Sequence, residues 1–209
     1  MHPNCAFRPG LPPAEERALL EAMLDTIGFG MIFAATPAGP RVAHVPLAST
    51  GARNSGGALH FHLARTNALT DHLDGQTALA VINGADAYVS PRWYASREQV
   101  PTWNYVAIEL EGRVRRMDDD GLKGHIEELV ARHEARIAAG RPWSLDELPF
   151  GKFDNLSKGI TGFEMDVQAW RPTFKLSQNK GAGERALVAD ALEANGSPAL
   201  ARLMRDLAP

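Results

Sequence analysis

The sequence predicts a mainly β protein, a small closed antiparallel barrel with flanking helices packed outside it. Three observations carry this. Several short stretches alternate apolar and polar residues with the period of a half-buried strand, and turns rich in glycine, proline and asparagine separate them. The helical periodicities stand apart from the strands instead of alternating with each of them. At 209 residues and 44% hydrophobic, the chain can bury a real core and suits one domain with an appendage.

Taken in order, Pro12-Pro13 opens a first helix, since proline is tolerated at the first helical position, and Leu20, Met23, Leu24 and Ile27 share one face. Gly28 and Gly30 end it. A strand over Phe29 to Ala35, a Thr36-Pro37-Ala38-Gly39-Pro40 turn and a strand over Arg41 to Leu47 read as a hairpin, with a second turn at Asn54-Ser55-Gly56-Gly57. Leu59, Phe61 and Leu63 then alternate with His60, His62 and Ala64, a strand followed by a short helix over Asn67 to Leu73. Thr77 to Ile82 is an apolar strand closed by Asn83-Gly84. From Trp103 to Val114 a long strand sets Val106, Ile108, Leu110 and Val114 on one face. Asp118, Asp119 and Asp120 cap a helix with the stripe Leu122, Ile126, Leu129, Val130, His133 and Ile137, stopped by Gly140. A helix near Asp146 to Ser157 and a last strand from Thr161 to Trp170 complete a domain over residues 1–180. The tail, 181–209, reads as two short helices broken at Asn195-Gly196-Ser197-Pro198.

A formal charge of −3 gives no overall positive field toward nucleic acid or anionic lipid. The single cysteine, Cys5, decides little. The first thirteen residues lack the pattern of a signal peptide and no stretch is apolar enough to span a membrane, so the expected location is cytoplasmic.

Three clusters carry chemistry. Between Tyr88 and Tyr105 stand five aromatics in a chain that is only 7% aromatic, interleaved with hydroxyls and the amide of Asn104. Such a segment suits a flat ligand with polar edges; it equally suits a barrel core or a subunit interface. In the second cluster, His60 to Asn67, Arg65 offers a planar fork to phosphate oxygens, and Thr66, Asn67 and the N–H groups of a helix start offer further donors. An exposed arginine beside a capping asparagine is the plainer alternative. His44, His60 and His62 could leave an open coordination position, but no carboxylate or cysteine stands at ligand spacing, so no metal is expected. The third cluster, Phe174 to Lys180, is dense in donors just after a strand.

Five segments, FHLARTN at 61–67, AYVSPRWY at 87–94, VPTWNY at 100–105, GFE at 162–164 and KLSQN at 175–179, occur in the order in which the PaiB family carries them. The chain resembles that family of FMN-binding negative transcriptional regulators over most of its length to about residue 180. The resemblance implies an FMN-binding split barrel like that of pyridoxamine-phosphate oxidase, as a homodimer with FMN between subunits. It implies a phosphate site at Arg65, Thr66 and Asn67 just after a central strand, with His62 and Ala64 as further cofactor-binding residues. Ala43 to Leu47 would lie along the isoalloxazine ring, with His44, Val45 and Pro46 as binding residues. Trp103, Asn104, Lys175 and Gln178 would close the site, some of them from the partner subunit. The loop YASREQ at 94–99 departs from the family's expected pattern.

No residue declares itself a general acid, base or nucleophile, so any redox chemistry would be the flavin's. The expected function is a flavin-dependent redox protein with a possible nicotinamide donor, or a flavin-linked regulator. A repressor acting directly on DNA and a flavin carrier without turnover are the alternatives. Direct DNA contact is disfavoured, because Glu184, Asp190, Glu193 and Asp206 in the tail oppose phosphate beside Arg185, Arg202 and Arg205.

Overall fold

The computed structural model describes residues 7–50, 57–96 and 98–208. Cys5, Arg97 in the departing loop, and the turn expected at Asn54-Ser55-Gly56 lie outside the described residues. The elements are α1 (Pro13–Ile27), β1 (Phe29–Thr36), β2 (Gly39–Thr50), β3 (Ala58–Ala64), β4 (Thr77–Val89), β5 (Thr102–Arg116), α2 (Asp119–Glu134), α3 (Lys152–Ser157), β6 (Ile160–Lys175), α4 (Ala182–Ala194) and α5 (Pro198–Leu207). The strands hydrogen-bond in the order β1-β2-β3-β6-β5-β4 and close as a barrel. No helix among the described residues is long and apolar enough to cross a membrane.

Two compact units make up the chain. One comprises Leu24–Ile82 and Leu110–Trp170, hereafter the hairpin unit; the other comprises Met1–Met23, Asn83–Glu109 and Arg171–Pro209, the tail unit.

In the hairpin unit, β1 and β2 pair antiparallel from Phe29↔Pro46 to Thr36↔Gly39, as the turn residues predict. Gly28, with φ of 61°, ends the preceding helix, and its N–H reaches the Leu24 carbonyl at 2.8 Å. Gly30 belongs to β1, opposite Val45, and not to the helix stop; a side chain is excluded there, since a Cβ would lie 2.7 Å from Leu47 Cδ1 and 2.8 Å from the Val81 carbonyl. β3 alternates as expected, burying Leu59, Phe61 and Leu63. It pairs with β6 so that Phe61 faces Phe163, their rings stacked with centroids 5.5 Å apart. Burying each such ring stabilises by about 1.5–3 kcal/mol relative to exposure.

The predicted helix over Asn67 to Leu73 is instead a run of turns. Asn67 Oδ1 accepts from the Leu69 N–H at 2.9 Å, and Thr70 Oγ1 donates to the Ala64 carbonyl at 2.9 Å. These side-chain bonds, with Thr70 N–H to Asn67 and His72 N–H to Leu69, hold the backbone in successive tight turns. α2 begins as predicted, Asp118 Oδ1 accepting from the Gly121 N–H at 2.8 Å. It ends at Glu134, and its buried residues are Leu122, His125 and Leu129; His133 and Ile137 are exposed. The segment near 146–157 is a 3-10 turn over Leu145–Glu147 followed by the short α3.

In the tail unit, β4 runs straight through Asn83-Gly84, so that pair is not a turn. Gly84 lets Val106 approach, since a Cβ there would lie 3.1 Å from Val106 Cβ. α4 and α5 form the two tail helices, burying Val188, Leu192, Leu200 and Met204.

Candidate functional site

Every residue in the proposed phosphate site belongs to the hairpin unit. Ala64, Arg65 and Thr66 are exposed where β3 ends. The Arg65 N–H donates to the Gly159 carbonyl and its Nε donates to the Lys158 carbonyl, both at 2.8 Å. Its two terminal nitrogens have no partner among the described residues, so the side chain is anchored at its elbow with the outer half of its fork unengaged. The Asn67 N–H bonds the Ala64 carbonyl, and its side chain is committed to the turn. Because no helix starts here, the helix N–H donors that the sequence suggested are not available.

On the same unit, the register of β1 against β2 pairs Phe29 with Pro46, Met31 with His44, and Phe33 with Val42. These six share the outward face, since Ile32, Ala34, Ala43 and Val45 point into the core. Phe29 is 53% exposed and Val42 43%. The result is an exposed apolar sheet face with one imidazole, His44, within it. Val45, at 1% exposed, is a core residue.

His62 also faces outward but lies under α2. Its Nδ1 is 3.2 Å from His125 Nε2, and the ring centroids are 5.3 Å apart. His60 stands edge-on to His125 at 6.0 Å and bonds Glu164 Oε2 through Nε2 at 3.1 Å. Glu164 also accepts from Arg115, and these hydrogen bonds hold its carboxyl below the usual range despite partial burial. Burial pushes the His125 pKa down to about 3, with the neighbouring His62, His60 and Arg132 charges acting in the same direction. Burial also lowers the His62 pKa. His125 is the residue that sequence reading missed, although its spacing of three from Leu122 and four from Leu129 places it on the buried stripe. Among the described residues, no group of three or more ligating side chains is arranged to hold a metal. A cavity of about 640 Å³ on this unit is lined by His60, Arg113, Arg115, Glu164 and Asp166, among others.

The remaining candidates belong to the tail unit. Trp103 is 54% exposed on β5 and meets Tyr88 edge-on at 6.2 Å. Trp103 and Tyr105 line a cavity of about 380 Å³ with Asn83, Gly84, Asp86 and Val106. Asn104 is fully buried: its Nδ2 donates to Ser177 Oγ at 2.9 Å, and its Oδ1 accepts from the same hydroxyl at 3.3 Å. Gln178 closes its own turn, accepting from the Leu176 N–H and donating to the Phe174 carbonyl. Lys175 donates to Thr102 Oγ1, and burial lowers its pKa.

A family model described as "Putative FMN-binding domain" matches residues 9–169. The Bacillus subtilis protein named Protease synthase and sporulation protein PAI 2 is 31% identical over 134 residues, which cover 63% of this chain. The match spans 63% of that relative's own length, less than two thirds of it. A protein of Emericella nidulans, AN0679, is 30% identical over 200 residues, covering 80% of this chain and 79% of its own. Among solved structures, the FAD and heme binding protein from Mycobacterium smegmatis matches with a TM-score of 0.55 at 20% identity, covering 81% of this chain and 76% of that one. The conserved hypothetical protein Rv2991 from Mycobacterium tuberculosis matches with a TM-score of 0.52 at 11% identity, covering 82% and 89%. At these identities the structural likenesses speak to the fold.

Proposed function

The chain belongs to the FMN-binding domain family, and on that premise we propose that it is a flavin-dependent redox protein that holds FMN by its phosphate at Arg65. The observation that carries this reading is the state of the Arg65 guanidinium. Its Nε and the residue's own backbone N–H are fixed on the 158–159 turn by backbone carbonyls, and the outer fork has no partner among the described residues. A pre-anchored fork loses little entropy on meeting a phosphate, and Thr66 adds an exposed hydroxyl beside it. The outward face bearing His44, Pro46, Phe29 and Phe33 suits the flat apolar ring system, with His44 as the group able to address a polar edge. Bound FMN supplies the electron and hydride chemistry; these residues bind and orient it.

The exposed apolar hairpin face also supports a homodimer, because a face of this kind needs cover from water. A reduced nicotinamide is the proposed electron donor. We assign no direct DNA contact. Arg205 is paired with Asp190 and Glu193, and Arg185 with the Ala208 and Lys180 carbonyls, so two of the three tail arginines are already engaged.

The reading is tested by titrating the purified full chain with FMN and with riboflavin, then assaying NADH and NADPH oxidation by the loaded protein. Flavin absorbance with FMN preferred over riboflavin, and nicotinamide oxidation, are expected. Equal affinity for the two flavins would refute the phosphate site, and flavin binding without nicotinamide turnover would reduce the protein to a carrier.

A further inference from the structure

α2 rests on β2 and β3, and its Arg132 is paired with Asp25. Of its residues only Leu122, His125 and Leu129 are buried, and Leu122 packs over Gly162, where a Cβ would meet its Cδ1 at 3.1 Å. The central contact of this docking surface is therefore an imidazole against an imidazole.

The hydrogen positions follow from burial. His125 is 2% exposed, and its Nδ1 has no hydrogen-bond partner among the described residues. A hydrogen on that atom would bury an unpaired donor, which costs more than burying an unpaired lone pair of a weakly solvated ring nitrogen. The hydrogen therefore sits on His125 Nε2 and is donated to His62 Nδ1, 3.2 Å away, and His62 carries its own hydrogen on Nε2. This arrangement holds only while both rings are neutral. A proton added to His62 sets N–H against N–H across the contact. A proton added to His125 lands on the partnerless Nδ1. Among the described residues no carboxylate offsets either charge: the charges that act on His125 are those of His62 and His60 from β3 and Arg132 from its own helix. Arg132 is bound to Asp25 and Glu128, and the carboxylate on β6, Glu164, is bound to His60 and Arg115.

We propose that the His62–His125 contact is an acid-sensitive latch that holds α2 on β3, and that protonation of this pair releases the helix. In the released state both imidazoles are solvated and take up protons at the ordinary histidine value of 6.5. The docked state resists this, so opening is linked to the uptake of two protons. Its equilibrium constant should rise by up to about a hundredfold for each pH unit below 6.5, until the depressed values of the docked rings are reached. The strands beneath are held by inward-facing residues such as Phe61 and Phe163, which the latch does not touch. This inference rests on contacts within the protein and is independent of the flavin reading.

Amide hydrogen exchange on the full chain, corrected for its intrinsic pH dependence, tests it between pH 7 and pH 5. Protection of the α2 amides should fall by more than tenfold per pH unit while β3 and β6 stay protected. His125→Leu, which fills the site and leaves His62 as the one buried ring of the pair, should reduce the dependence from two protons to one. His62→Asn, whose carbonyl can still accept from His125, should do the same, and the double variant should abolish the decline. Unchanged α2 protection across this range in the parent, or a decline in the variants as steep as the parent's, would overturn the latch. The window separates it from protonation of Glu164, which acts below the usual carboxylate range.

Discussion

At the scale of single residues, Arg65 and Asn104 show what a local pattern can and cannot disclose. Both sit among donors and both resemble ligand-binding residues in the sequence. Asn104 is nevertheless spent on Ser177, 73 positions away, a partner no local reading could supply. Arg65 keeps the outer half of its fork. Replacing it with alanine should remove a charge-assisted contact worth about 1.5–3 kcal/mol, weakening FMN binding about tenfold to a hundredfold in a fluorescence titration. Riboflavin affinity, which lacks the phosphate contact, should hardly change. His125 was legible after all: its spacing put it on the buried stripe of α2, but a hydrophobic template passes over a histidine.

Individual elements were legible wherever hydrophobic period decided them. β3 and β5 follow the predicted alternation closely, because burial of one face left the chain no second register. Prediction failed where side chains or neighbours overruled local preference, at the Asn67 turns and at Asn83-Gly84. Two glycines make the same point quantitatively. Gly124, in the interior of α2, has nothing within 4 Å of where a Cβ would stand, so Gly124→Ala should stabilise the protein by about 0.5–1 kcal/mol in thermal unfolding. Gly112 faces the opposite situation on β5, with the Asp166 carbonyl 2.2 Å from a built Cβ. Gly112→Ala should cost about 3 kcal/mol or more, with loss of soluble protein as the first sign. Asp118→Ala should cost about 0.5–2 kcal/mol by removing the cap of α2.

For the whole molecule, the sequence declared the β class and the helical tail, but the closure of β1 against β4 and the pairing of β3 with β6 join segments far apart in the chain. Periodicity reports which face of a strand is buried; it does not report which strand lies beside it. The expected assembly is a dimer through the β1–β2 face, seen as a dimeric mass in small-angle scattering at micromolar concentration. Phe33→Glu should shift it to monomer while leaving the circular dichroism spectrum intact; a monomeric parent would refute the assignment of that face. The pairing of β3 with β6 also imposes an order on biosynthesis. The β3 edge, with Leu59, Phe61 and Leu63, leaves the ribosome roughly 100 residues before the strand that will cover it, a delay of about 5–20 s at ordinary elongation rates. Through that interval the nascent chain carries an open apolar edge, and the Arg65 turn, which is fastened to residues 158 and 159, cannot yet be set. The 65–67 turn therefore takes its final form only late in translation, and any slowing of synthesis between these strands prolongs the time in which a chaperone, or another nascent copy, can reach the edge first.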